Sequence, residues 1–144
     1  MLAADWSVSA DAWSVTSYTE LREDALSVER ANRLHPHAER EVPYLWTALS
    51  DGAGPVVAVT DYLRAVPDQV ARWMPRPFVS LGTDGFGRSD TRAALRRFFE
   101  VDAAHLVVAV LSALADTGDA KTDEVAEAIS RYGIDAEAAD PWSD

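Results

Sequence analysis

The sequence predicts an α/β fold, a sheet covered by helices, and three observations carry that prediction. Short β-rich runs alternate with helical patterns along much of the chain. Val56 to Thr60 (VVAVT) is consecutive, apolar and bounded by Gly54-Pro55 and Asp61, as a buried strand should be. Phe78 to Leu81 (FVSL) is a second such run, and it feeds a glycine-rich loop that opens onto a helix.

The elements follow in order. Ala12 to Thr16 (AWSVT) fits a short strand, making three in all, a thin sheet. A helix follows from Thr19 to about Asn32, with Thr19 as N-cap and Leu21, Ala25, Val28 and Asn32 on one face. LHPHAEREVP is a polar, proline-bounded loop. Pro43 to Leu49 is a short helix stopped by SDGAG. Asp61 to Met74 is helical, with a break at Pro67 and a new start near Val66. Thr91 to Phe99 is a helix capped by Ser89 or Asp90. Ala103 to Ala115 is strongly apolar and predicted to be buried. Lys121 to Tyr132 is amphipathic and ends at Gly133. The ordered domain is expected over 1–135, with a loose tail over 136–144.

Composition excludes several function classes. At 144 residues the chain is sized for one domain, and 48% hydrophobic residues suffice for a core. A net charge of −11 argues against nucleic-acid binding, which needs a basic face. With no cysteine there are no disulfides or thiolate metal sites. No apolar run approaches about 18 residues and no signal peptide is recognised, so no membrane partner is expected and the chain reads as cytoplasmic.

The most unusual stretch is GTDGFGRSD, Gly82 to Asp90. Its G-x-x-G-x-G order is neither the dinucleotide fingerprint nor the P-loop, and Asp84 and Asp90 would repel an anion. It also lacks the ligand ladder of a calcium loop. The favoured reading is structural. Gly82, Gly85 and Gly87 permit a sharp turn with at least one positive φ, Phe86 fills a hydrophobic site or faces a neighbouring domain, and Asp90 caps the next helix. Arg88 is the residue least explained by folding, and with Asp84 and Ser89 it completes a predicted structural loop or interface.

Other candidates for chemistry are sparse. His35 and His37 flank Pro36 without a further ligand, so His35 reads as structural and His37 as solvated. His105 reads as a packing residue. Asp61, Arg64 and Asp68 are spaced for i,i+3/i+4 ion pairs on one helix face. His35, Asp61 and Arg64 are secondary interface candidates. No nucleophile, base and orienter can be assembled, so no catalytic, cofactor-binding or metal-binding residue is assigned.

The stretches DAWSVTSYTELREDALSVERANRLHP, VPYLWTALSDGAGPVVAVTDYLRAVPDQVARW and FVSLGTDGFGRSDTRAALRRFFEVDAAHLVVAVLSALA resemble the C-terminal part of the homodimeric pyruvate dehydrogenase E1 family. The resemblance keeps the family's order and covers Trp6 to at least Tyr132. DGFGRSD is similar to the D-x-F-G-x-S signature of transketolase C-terminal domains, and the longer TDGFGRSDTR favours pyruvate dehydrogenase.

The resemblance implies a mainly parallel sheet of the transketolase C-terminal type, lacking the first strand of the family domain, with MLAADW as the tail of a preceding helix. It implies a parent oxidoreductase that decarboxylates pyruvate and acetylates lipoyl groups with thiamine diphosphate and magnesium held in upstream domains. This chain itself would bind no cofactor and be inactive alone. The implied partners are the remaining E1 domains, a second E1 subunit and the E2 dihydrolipoyl acetyltransferase. Two other functions stay open: a docking or regulatory module that binds E2 or a small effector, and a transketolase C-terminal domain.

Overall fold

A computed structural model describes residues 1–143. In chain order it contains α1 (Leu2–Trp6), α2 (Tyr18–Leu34), α3 (Tyr44–Leu49), β1 (Val56–Val59), α4 (Ala65–Asp68), a 3₁₀ turn (Ala71–Trp73), β2 (Phe78–Leu81), α5 (Arg92–Phe98), α6 (Ala103–Thr117) and α7 (Thr122–Arg131).

The two strands run parallel, in a register that pairs Val56 with Phe78 and Val59 with Leu81. They are the only strands paired among the described residues. The mixed α/β class is therefore as the sequence predicts, but Ala12 to Thr16 is not a strand. Trp13 and Val15 in that stretch are exposed, and no ladder holds the segment extended. β-propensity without a partner strand does not make a strand.

Two separate apolar clusters flank the fold. Ala25 of α2, Leu45 of α3, Val70 and Trp73 form the first, with Tyr18, Leu21 and Met74 packed around them. Val107 and Leu111 of α6 and Ala128 of α7 form the second, joined by Leu2 and Trp6 of α1. Helix α6 also packs on both strands. In the second cluster the Trp6 indole N–H donates to the Tyr132 hydroxyl at 2.7 Å, and that hydroxyl donates to Asp5 at 2.9 Å.

Local signals account for the helix ends. Ser17, not Thr19, caps α2, its hydroxyl accepting from the Glu20 N–H at 3.2 Å. The long helix expected over 61–74 is absent. Proline restricts its predecessor and breaks the ladder, so only the single turn α4 and the 3₁₀ turn form, with Pro67 buried. Taken as one stretch, Arg92–Thr117 is long and apolar enough to cross a membrane. The helix is broken within it at Glu100, where φ is 58°, leaving helices of 7 and 15 residues. Neither reaches the roughly 20 residues a span requires.

Candidate functional site

Parallel pairing sets the site. Because β1 and β2 end side by side, the segment after β1 (Asp61 to Arg64) lies against the loop after β2 (Gly82 to Asp90). The carboxyl ends of parallel strands are where α/β folds place their working loops. The Thr83 N–H donates to the Tyr62 carbonyl at 2.8 Å, and its hydroxyl donates to the Asp61 carbonyl at 3.0 Å. Arg64 donates twice to Asp84, from its backbone N–H at 3.1 Å and from Nε at 2.6 Å.

Two glycines are required by this geometry. A Cβ on Gly82 would lie 2.6 Å from the Tyr62 carbonyl oxygen and 2.8 Å from the Arg64 nitrogen. Gly85 has φ of 99°, and a Cβ there would lie 2.9 Å from the Pro141 carbonyl oxygen. Gly87 has open space around it.

The loop's other residues divide between solvent and contacts within the chain. Phe86 is 82% exposed and fills no hydrophobic site in this chain. Asp90 and Ser89 do not cap α5. Thr91 does, its hydroxyl accepting from the Ala94 N–H at 3.3 Å, while Asp90 accepts only from its neighbour's N–H. The cap falls one residue later because α5 begins at Arg92. The Arg88 guanidinium lies over the Phe98 ring, 3.9 Å from its centroid, and ties the loop to α5.

The side-chain ion pairs expected among Asp61, Arg64 and Asp68 do not form: Asp61 lies outside α4, and although the Asp68 N–H donates to the Arg64 carbonyl at 2.9 Å, the side chains turn to other partners. Arg64 turns to Asp84, Asp61 pairs with Arg96 at 3.7 Å, and Asp68 accepts from the Ser80 hydroxyl at 2.5 Å. His35 caps the end of α2, its Nδ1 lying 3.0 Å from the Ala31 carbonyl, and no described contact ties it to the loop. Sequence reasoning missed Trp142. Pro141 is buried, and the Trp142 ring receives the Arg64 guanidinium at 4.9 Å from its centroid. The expected loose tail thus holds a contact with the loop.

His105 is structural, as its context suggested. Asp102 caps α6, accepting the His105 backbone N–H at 2.9 Å, and lies 2.7 Å from its Nδ1. Burial pushes the Asp102 carboxyl up, but hydrogen bonds from His105 and Arg97 outweigh it and leave the pKa below the usual aspartate value.

A parallel pair with helices packed on it, and a glycine loop pinned at its carboxyl edge, define the class. The chain belongs to the family of the transketolase-like C-terminal domain, whose family model matches residues 1–102. Within that class it matches the C-terminal region of bacterial pyruvate dehydrogenase E1 components.

It is 50% identical to the pyruvate dehydrogenase E1 component of Pseudomonas aeruginosa over 142 residues, 98% of this chain and 16% of that protein. The Mycobacterium tuberculosis component is 50% identical over 141 residues, covering 98% of this chain and 15% of that protein. The Mycolicibacterium smegmatis component is 49% identical over 135 residues, covering 94% and 14%. The chain therefore spans about one-seventh of the length of these relatives.

Proposed function

We propose that this chain is the C-terminal portion of a cytoplasmic pyruvate dehydrogenase E1 component, with a role in assembly. The parent would decarboxylate pyruvate and acetylate the lipoyl groups of E2. The observation that carries the assembly role is the loop anchored through Thr83, Asp84 and Gly85 with Phe86 in solvent beyond them. Tyr62, Leu63 and Trp142 are also exposed, and they flank the loop through the contacts of Thr83, Arg64 and Gly85. An exposed aromatic on an ordered support suits burial by another protein surface. The surface that meets it is the remainder of E1 or its second subunit.

Thiamine diphosphate and magnesium would be held by the remainder of the parent E1. Among the described residues no three His, Asp or Glu side chains are grouped to hold a metal ion. No catalytic step is assigned to this chain, and alone it should turn over no pyruvate.

In the full-length E1 that carries this segment, Phe86→Ser should weaken subunit assembly by gel filtration at low protein concentration. The variant segment alone should melt at the same temperature as the unaltered one, because Phe86 packs little within it. Unchanged assembly and activity in the full-length variant would overturn the proposal. So would pyruvate decarboxylation by the pure 144-residue chain.

A small-effector role is the second reading, favoured by an open cleft of about 480 Å³ lined by Glu29, Asn32, Arg33, Arg40 and Arg72. Its three arginines would suit an anion, although Glu29 already engages Arg72. Saturable binding of inorganic phosphate, lost in Arg33→Ala/Arg40→Ala, would favour that reading over assembly.

A further inference from the structure

We propose that Pro141 and Trp142 form a strap that holds the glycine loop in its working shape. The contacts come from two directions. From below, Arg64 grips Asp84 through its backbone N–H and its Nε. From above, the chain at Pro141 and Trp142 crosses Gly85 so closely that no side chain fits between them. Trp142 then closes the arrangement with a cation–π contact to the same Arg64, whose guanidinium lies 4.9 Å from the ring centroid.

Arg64 therefore works with two faces. Its Nε donates to the Asp84 carboxylate, and its guanidinium carbon lies over the indole ring. A guanidinium can do both at once, whereas an ammonium offers neither a plane to stack nor a fixed fork. Trp142 limits the directions Arg64 can take and so helps keep the Arg64–Asp84 pair formed.

Gly85 has a second role in this arrangement. Its φ of 99° bends the loop, and its missing Cβ admits the crossing chain. Gly85→Ala would strain the bend and displace the strap together. Pro141 is buried at the crossing, which anchors the strap beside the exposed edge of Trp142. The shape of the loop that presents Phe86 is thus set partly from a segment more than 50 residues away in sequence, with Gly85 and Trp142 the two points of contact.

The strap is independent of which protein meets the loop, so its test reads the loop in the chain itself. Two amides report on it: Thr83 N–H, bonded to Tyr62, and Arg64 N–H, bonded to Asp84. Hydrogen exchange is compared for the unaltered chain, Trp142→Ala, Arg64→Lys and a chain ending at Asp140. All three changes should speed exchange at Thr83 and Arg64 by about twofold to fivefold, the range expected on losing an exposed cation–π contact. Trypsin should also cut faster after Arg88 in each. The amides of Val107 and Leu111 in α6 should exchange as before. Unchanged exchange at both reporters would overturn the strap. Equal acceleration in α6 would overturn it too, because Trp142 would then serve overall stability and not the loop.

Discussion

Arg64 donates to Asp84 through two different groups, a backbone N–H and a guanidinium, across 20 positions of sequence. The Asp84 side chain is 24% exposed and the Arg64 side chain 40%, so the charge attraction is partly screened by water. The backbone bond is the firmer half. Asp84→Ala should cost roughly 1–3 kcal/mol, because it orphans a part-buried N–H as well as breaking the pair. Asp84→Asn keeps an acceptor for that N–H and should cost less. Urea unfolding of the two variants gives the comparison, and equal costs would show that the ion pair dominates.

Thr91 and Asp90 separate cleanly as candidates for the cap of α5. Thr91→Ala should destabilise the chain by about 0.5–2 kcal/mol. Asp90→Ala, at an exposed position bonded only to its neighbour, should stay within about 0.5 kcal/mol. Thermal melts of the pair decide it, and the reverse order would restore Asp90 as the cap.

Glu100 occupies a position that favours glycine. Its φ is 58°, and it ends α5 in the pattern of a Schellman motif: the Glu100 N–H bonds to the Arg97 carbonyl and the Val101 N–H to the Arg96 carbonyl. The ends of α6 and α7 use Gly118 and Gly133 for the same bend. Glu100→Gly should therefore stabilise the chain by about 1 kcal/mol, relieving left-handed strain at the expense of some unfolded-state entropy. A lower melting temperature would show that the Glu100 side chain contributes more than its backbone costs.

The cap of α6 predicts a pH dependence. The Asp102 pKa is lowered in the folded chain, so its stabilisation is complete above the unfolded aspartate pKa. It is lost as pH falls through the lower folded value. Asp102→Asn can still cap the helix but cannot titrate there. Its stability should fall less steeply over that acid range than that of the unaltered chain. Parallel acid-unfolding curves would refute the assignment.

Legibility in the sequence followed the range of the interactions. VVAVT and FVSL were readable as strands from their own β-rich residues, but the burial expected of VVAVT is not met, since no residue of either strand is buried and Val59 is exposed. Apart from its exact end, α6 was readable from its apolar run, although only Val107, Leu111 and Ala113 of it are buried, and a positive-φ glycine was readable from the loop without singling out Gly85. AWSVT misled because it has the residues of a strand without a partner to pair with. The helix over 61–74 misled because Pro67 dismantles more of its surroundings than a kink. The Arg64–Asp84 pair was hidden by its 20-residue separation. Pairing β1 with β2 in parallel register would have exposed it, since that register sets Asp61 near Thr83. Trp142 gave no signal at all, because a terminal segment rich in small and acidic residues carries no periodicity to read.

The two apolar clusters have no residue in common. Substitutions in separate clusters, with no shared partner, should act on stability nearly additively. Leu111 and its neighbours can therefore drift or be redesigned without compensating changes around Val70 and Trp73. The strand pair packs on α6, so changes in β1 and β2 should couple to the second cluster.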